Sequence, residues 1–153
     1  MTPAVKFLDK NKIDFELLSF EHEASYDNYG QEVVDKLGLP LESVFKTLVL
    51  ETAEHEFIVA ITPVSQQVNT KSLAKVAKSK KTMMAPAPDV QRVTGYVLGG
   101  VSPFAQKKRL ATYIHESVLS QARIFVSGGK RGLEIGIAPK DIISVLNAST
   151  AKF

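Results

Sequence analysis

Lys46 interrupts an otherwise apolar run, Phe45-Lys46-Thr47-Leu48-Val49-Leu50. A lysine at the mouth of a buried strand can lay its alkyl stem on the core while its ammonium enters a cleft and meets an anion. Two glycine-paired segments offer complementary chemistry: Gly95-Tyr96-Val97-Leu98-Gly99-Gly100-Val101-Ser102-Pro103 and Val126-Ser127-Gly128-Gly129-Lys130-Arg131-Gly132. Glycine backbone can approach a ligand closely and present N–H groups to an oxygen or phosphate. Ser127 adds a hydroxyl that can donate to a carbonyl or accept an amine proton. Local pattern alone leaves plainer readings open, namely a surface lysine, ordinary turns and a serine bonded to its own backbone.

Other chemistries are excluded by residue type. The 153 residues contain no cysteine, so disulfides, thiolate metal sites and a cysteine nucleophile are absent. His22, His55 and His115 lie in separate segments without metal-protease spacing, and neither a metal nor a cofactor is expected. Gly128-Gly129-Lys130 is no phosphate loop, because Ile124 stands where the first glycine is needed and Arg131 where a hydroxyl is needed. The nucleophile elbow of serine hydrolases, Gly-x-Ser-x-Gly, does not occur either.

The elements that must position these residues read as one continuous domain over residues 1–153. A helix starts with Thr2 as cap and Pro3 in its first turn and ends near Lys10; a second runs from Gln31 to Leu37 and stops at Gly38. Val44–Glu51 and Glu56–Thr62 form an antiparallel hairpin, and Thr70–Lys78 and Asp89–Val93 are helical. Phe15–Phe20, Tyr96–Val101, Thr112–His115, Ile124–Ser127 and Leu133–Ile137 read as strands, and Pro139 opens a closing helix. The expected class is α/β, a mixed α+β arrangement with a mostly antiparallel sheet of about seven strands, barrel-like if its edges meet, and helices packed on it.

A hydrophobic fraction of 44% and a charged fraction of 23% suit a packed core, and no apolar run approaches the ~18 residues of a membrane span. The cytoplasm is the expected location, with no membrane partner. A net charge of +3 conceals a division: residues 1–56 carry −7, residues 57–115 carry +8 and residues 116–153 carry +2. The basic stretch, whose only carboxylate is Asp89, points to a polyanionic partner or phosphorylated ligand, or else to a solvated lysine-rich surface.

Taken together these segments resemble the YbaK/EbsC-type editing proteins, which are related to the insertion domain of bacterial prolyl-tRNA synthetases. The resemblance covers nearly the whole chain. Its most specific pieces are Thr94-Gly95-Tyr96, Gly99-Gly100-Val101-Ser102-Pro103, Gln106-Lys107-Lys108-Arg109 and Val126-Ser127-Gly128-Gly129-Lys130-Arg131-Gly132. It implies a deacylase that removes cysteine mischarged on tRNA(Pro), with aminoacylated tRNA and prolyl-tRNA synthetase as partners. Lys46, Gly99, Gly100 and Ser127 are the implied catalytic residues; Phe20, Thr47, Ser102, Pro103, Gly128, Gly129 and Lys130 would bind substrate. Lys71, Lys75, Lys78, Lys107, Lys108 and Arg109, with Lys80 and Lys81, would meet tRNA phosphates. Because the cysteinyl group in that family is thought to attack its own ester, the protein need only position and polarise. Phe20 stands where cysteine-specific members often carry tyrosine, and Gly136 where they carry an acid, so hydrogen bonds from those groups are expected to be missing. Two other readings remain, a deacylase for alanyl- or another small aminoacyl-tRNA and a non-catalytic module that binds RNA or a synthetase.

Overall fold

The computed structural model describes residues 1–153. Helices α1 (Pro3–Lys10), α2 (Tyr29–Leu37), α3 (Thr70–Val76), α4 (Ala87–Thr94) and α5 (Pro139–Leu146) alternate with strands β1 (Phe15–Ser19), β2 (Phe45–Thr52), β3 (Phe57–Pro63), β4 (Thr82–Met84), β5 (Ala111–His115), β6 (Ile124–Ser127), β7 (Leu133–Ile137) and β8 (Ser149–Ala151). The expected mixed class is therefore observed. No helix is long and apolar enough to cross a membrane.

The strands form two sheets, of order β1-β7-β6 and β4-β2-β3-β5-β8, and they do not close into a barrel. Four pairings are antiparallel, while β3 with β5 and β5 with β8 are parallel. One isolated bridge, Val44 to Phe125, joins the sheets at the start of β2. Full closure would need β2 to pair along its whole outer edge. Instead β4 meets it only from Leu50 to Thr52.

Alternation along the β2–β3 hairpin sends side chains to two cores. Phe45, Val49, Val59 and Ile61 face the larger one, with Leu8 of α1 and Ile135 of β7, whereas Leu50, Ile58 and Ala60 pack with Leu73 of α3 and Phe153. Truncating a buried leucine such as Leu50 typically costs about 2–5 kcal/mol, so this hairpin is firmly anchored on both faces.

Tyr96–Val101, expected as a strand, is an irregular loop. Local bonds hold it in place of a sheet ladder: Thr94 Oγ1 accepts from the Tyr96 N–H, Gly100 N–H donates to the Val97 carbonyl, and the buried Tyr96 hydroxyl donates to the Phe104 carbonyl at 2.6 Å. The three-residue strands β4 and β8 carry too short a pattern to be read in advance.

Helix α2 is fixed at both ends and along its flank. Asn28 Oδ1 accepts from the Gln31 N–H, and Gly38 closes the helix in the left-handed conformation at φ 64°. The fully buried Glu32 carboxylate bonds His22 Nδ1 at 2.6 Å, accepts the Glu23 N–H at 2.7 Å and takes the Lys36 ammonium at 2.9 Å. Burial pushes this carboxyl's pKa up, but those bonds outweigh it and hold it at about 2. A depressed carboxyl stabilises the fold above its unfolded value near 4.5, and that contribution is lost as pH falls towards 2. Glu32→Gln is expected to lower Tm at pH 7 and to flatten the loss of Tm between about pH 4.5 and pH 2, measured by circular dichroism melts.

Candidate functional site

A cleft of about 460 Å³ opens where β2 lacks a neighbour, between the Val44 bridge and β4. Its floor is Phe45–Leu48, and its walls come from the α2 N-terminus, the 98–101 loop, and Ser127 and Glu134 on β6 and β7. Lys46, Thr47, Gly99 and Ser127 thus meet in one place although up to 81 positions separate them in the chain.

Lys46 is half-buried, and desolvation pushes its pKa below the usual lysine value. Its cross-strand partner is Thr62. No salt bridge occupies its ammonium, so an incoming anion would recover the interaction that burial removes. Thr47 Oγ1 is buried without a hydrogen-bond partner, as is Thr62 Oγ1 opposite Lys46 on the other face of the hairpin. An unsatisfied buried hydroxyl costs about 1–3 kcal/mol, a deficit that a ligand group reaching Thr47 would offset.

Ser127 Oγ accepts the Gly129 N–H at 3.1 Å, the local turn that its sequence context allows. The hydroxyl proton has no protein acceptor, so it can be donated into the cleft. None of the histidines touches Ser127: His22 bonds Glu32, His55 bonds Glu51 and His115 bonds Ser117. No group of three histidine, aspartate or glutamate side chains is placed to hold a metal ion.

Backbone conformation favours glycine at 99, and Arg131 packs closely on it. Its φ of 90° disfavours any side chain, and a Cβ there would run into the Arg131 guanidinium. At Gly100 a Cβ would lie 2.9 Å from Lys130 Cα, so the two glycine segments touch backbone to backbone. Gly100 therefore builds the wall rather than lining it. Gly128 and Gly129 act similarly, the first through a Thr2 hydroxyl bonded to its carbonyl and the second by its close approach to Tyr96.

The remaining expected binding residues fall outside the cleft lining. Ser102 is fully buried and organises the loop, its carbonyl accepting from Gln106. Pro103 borders a smaller depression with Lys108 and Arg109. Lys130 is exposed on its turn, and Lys71, Lys75, Lys78 and Lys107 are exposed on the surface. Phe20 packs against Tyr29 with the rings tilted at 31° and 6.0 Å apart, and it does not line the cleft.

Sequence reading missed Tyr29, Arg131 and Glu134. The hydroxyl lacking at Phe20 is present next door: Tyr29 donates to Glu134 Oε2 at 3.4 Å and accepts the Gly132 N–H at 2.8 Å. Arg131 lies over the Tyr29 ring at 5.5 Å, tying α2 to the glycine turn. Position 136 is glycine as the sequence shows, but an acid stands two residues away on the same strand. Gly136 packs against Phe125, whereas Glu134, on the same face of β7, lines the cleft opposite Ser127. A lone glutamate in Leu133-Glu134-Ile135-Gly136-Ile137 is the same signal as Lys46, a charge inside a buried run. Burial pushes its pKa up to about 8, with the Tyr29 hydroxyl acting in the opposite direction.

Residues 24–145 match the aminoacyl-tRNA editing domain model. The chain belongs to that family. It is 35% identical over 152 residues to EbsC of Enterococcus faecalis, provisionally named a Cys-tRNA(Pro)/Cys-tRNA(Cys) deacylase, covering 99% of this chain and 92% of the relative. Among solved structures, one provisionally designated a trans-editing enzyme for prolyl-tRNA synthetase superposes with a TM-score of 0.86 at 17% identity, covering 99% of this chain and 97% of that one. A hypothetical protein superposes with a TM-score of 0.88 at 20% identity over 99% and 98%. At these identities the superpositions establish the fold.

Glu134 generates a pH test. A carboxyl whose folded pKa lies above its unfolded value binds its proton more tightly in the folded state, so stability falls as pH rises from about 4.5 to about 8. Glu134→Gln is expected to flatten Tm across that interval, and a wild-type slope retained in the variant would contradict the assignment.

Proposed function

We propose that this editing-domain protein is a trans-editing deacylase that removes cysteine from tRNA(Pro), with prolyl-tRNA synthetase as its docking partner. The observation that carries the reading is a cleft rich in positioning groups but without an activated protein nucleophile: Lys46, Thr47, Gly99, Ser127 and Glu134 converge, and no base touches Ser127. Such a site suits a substrate that brings its own nucleophile.

In the proposed step the cysteinyl thiol loses its proton and its sulfur attacks the ester carbonyl carbon of the same residue. The carbon–sulfur bond forms, the bond to the ribose oxygen breaks, and that oxygen takes a proton. A cyclic thiolactone leaves and is hydrolysed by water to cysteine. Ser127 and the backbone around Gly99 stabilise the carbonyl oxygen as charge develops, and Lys46 pairs with the terminal phosphate or the departing oxygen. Glu134 faces the substrate's α-ammonium. A cation arriving beside a buried carboxyl favours its ionised form, so the proton held by the free protein is released on binding. The exposed lysines of residues 71–81 and 107–109 add contacts to phosphates that carry no sequence information, which leaves tRNA selection to the synthetase.

The deciding experiment compares cysteinyl- and seryl-tRNA(Pro), which differ by one atom. A thiol titrates near ~8.5 and a hydroxyl far higher, so the rate ratio is expected to exceed the roughly 10- to 200-fold that packing achieves between near-isosteres. Equal rates, or release of cysteine with no thiolactone trapped, would overturn self-cyclisation. Lys46→Ala is expected to lower kcat/KM on the order of 100-fold at nearly unchanged Tm, and Ser127→Ala to slow the reaction without abolishing it. Binding of tRNA should weaken steeply between low and moderate salt, read by filter binding, because each lysine–phosphate contact releases counterions.

A further inference from the structure

Strand pairing settles only half of what Ser127 needs in order to serve the cleft. Its backbone is held by the pairing of β6 with β7, where it stands across from Glu134. What pairing leaves open is the side-chain torsion, which has three staggered wells. The Gly129 N–H, donating to Ser127 Oγ at 3.1 Å, selects one of them. The direction of the serine hydroxyl therefore depends on where the 128–129 turn sits.

That turn is gripped from a distant part of the chain. Thr2 Oγ1 donates to the Gly128 carbonyl, 126 positions away, and the same oxygen accepts the Val5 N–H at 3.4 Å as the cap of α1. The rest of the threonine side chain presses on the next residue: a Cβ at Gly129 would stand 3.1 Å from Thr2 Cβ, 3.4 Å from Thr2 Cγ2 and 3.0 Å from the Tyr96 ring. Gly129 is thus lodged between Thr2 and Tyr96, and the Tyr96 hydroxyl is itself tied to the Phe104 carbonyl. Thr2 is held in turn. Proline restricts the residue before it to extended backbone, and Thr2, ahead of Pro3, is found at φ −77° and ψ 161°. Behind it Ala4, Val5 and Leu8 fasten α1 into the larger core.

Capping alone would not require this arrangement. Asn28 and Asn69 cap α2 and α3 by accepting from N–H groups of their own helices. Thr2 caps α1 and also reaches across the molecule to the serine turn. A hydroxyl that both donates and accepts, with a methyl on the same Cβ to pack, is a combination that only threonine supplies.

We propose that Thr2 is a positioning residue for Ser127: by clasping the 128–129 turn it fixes the serine torsion and keeps the hydroxyl proton available to the cleft. Its kinetic consequence rests on the deacylase reading, whereas the torsion can be measured without substrate. Thr2→Val keeps the shape and removes the hydroxyl, and Thr2→Ser keeps the hydroxyl. Thr2 is half-buried, so both variants fold. The Hα–Hβ couplings of Ser127, read by NMR on isotope-labelled protein, are expected to report one rotamer in the wild type and in Thr2→Ser and an average of rotamers in Thr2→Val. With cysteinyl-tRNA, Thr2→Val should lower kcat about fivefold at nearly unchanged KM, the effect of one ordinary hydrogen bond, and Thr2→Ser should restore most of it. Placed on Ser127→Ala, Thr2→Val should cause no further loss, because a residue that acts through the serine has nothing left to position.

A Thr2→Val protein that melts earlier but keeps a single Ser127 rotamer would overturn the proposal and leave Thr2 as a helix cap only. An equal fold loss of kcat with and without the serine hydroxyl would do the same. If the couplings respond as described but the wild type cleaves no aminoacyl-tRNA, the deacylase reading fails while the link from Thr2 to Ser127 stands.

Discussion

Strand β2 has to serve two sheets with one backbone, and the cleft exists because it cannot satisfy both along its full length. At its start the Val44 carbonyl accepts the Val64 N–H on the β3 side, and near its end the Val49 carbonyl accepts the Ala85 N–H on the opposite side. Backbone groups alternate sides along a strand, so those of Thr47 point the same way as those of Val49, into the gap between the Val44–Phe125 bridge and β4. The site is the unpaired stretch of an interior strand. Its floor is held rigid by seven cross-strand pairs to β3, while its open edge keeps polar groups available to a ligand.

Around that gap the fold places side chains whose burial makes each responsive to a partner. Lys46 is pushed down and Glu134 pushed up by the same loss of water, so each charge is more costly in the free protein than beside its complement. A ligand carrying an anionic phosphate and a cationic amine would relieve both. Glu32, only a helix turn from the cleft, shows the opposite solution: its charge is buried but fully bonded, and it pins the 21–23 segment to α2. Helix α2 therefore carries an acid whose several bonds stabilise the fold, while the acid on β7 has one bond, from Tyr29, and lines the cleft.

The strand–helix order was legible because the β2–β3 hairpin, α3 and the β6–β7 pair have strong periodicity and flanking turn residues. Lys46 was legible as a charge in an apolar run, and Glu134 carries the same signature. Nothing in the local pattern shows that Glu134, two residues from Gly136 on the same strand face, lines the cleft across from Ser127. Tyr96–Val101 misled because its apolar residues mimic a strand. Of them only Tyr96 and Val101 are buried, while Val97 and Leu98 face solvent, in a loop held by the Tyr96 hydroxyl and the Thr94 side chain, a tertiary arrangement that no local pattern encodes. Ser102 and Pro103 belong to that scaffold, and the distinction between lining a cleft and supporting its wall depends on three-dimensional contact.

The bond between Ser127 Oγ and the Gly129 N–H has a consequence for how a cell could tolerate this protein. A serine kept as a turn acceptor, with no imidazole beside it, is a poor attacker of esters at large. On the proposed chemistry, a correctly charged prolyl-tRNA that wandered into the cleft would be held in good geometry and still survive, since its side chain brings no sulfur. Error correction would then be safe by inertness: the abundance of the protein could rise with little draining of the pool of properly charged tRNA, and misbinding would cost translation only a delay.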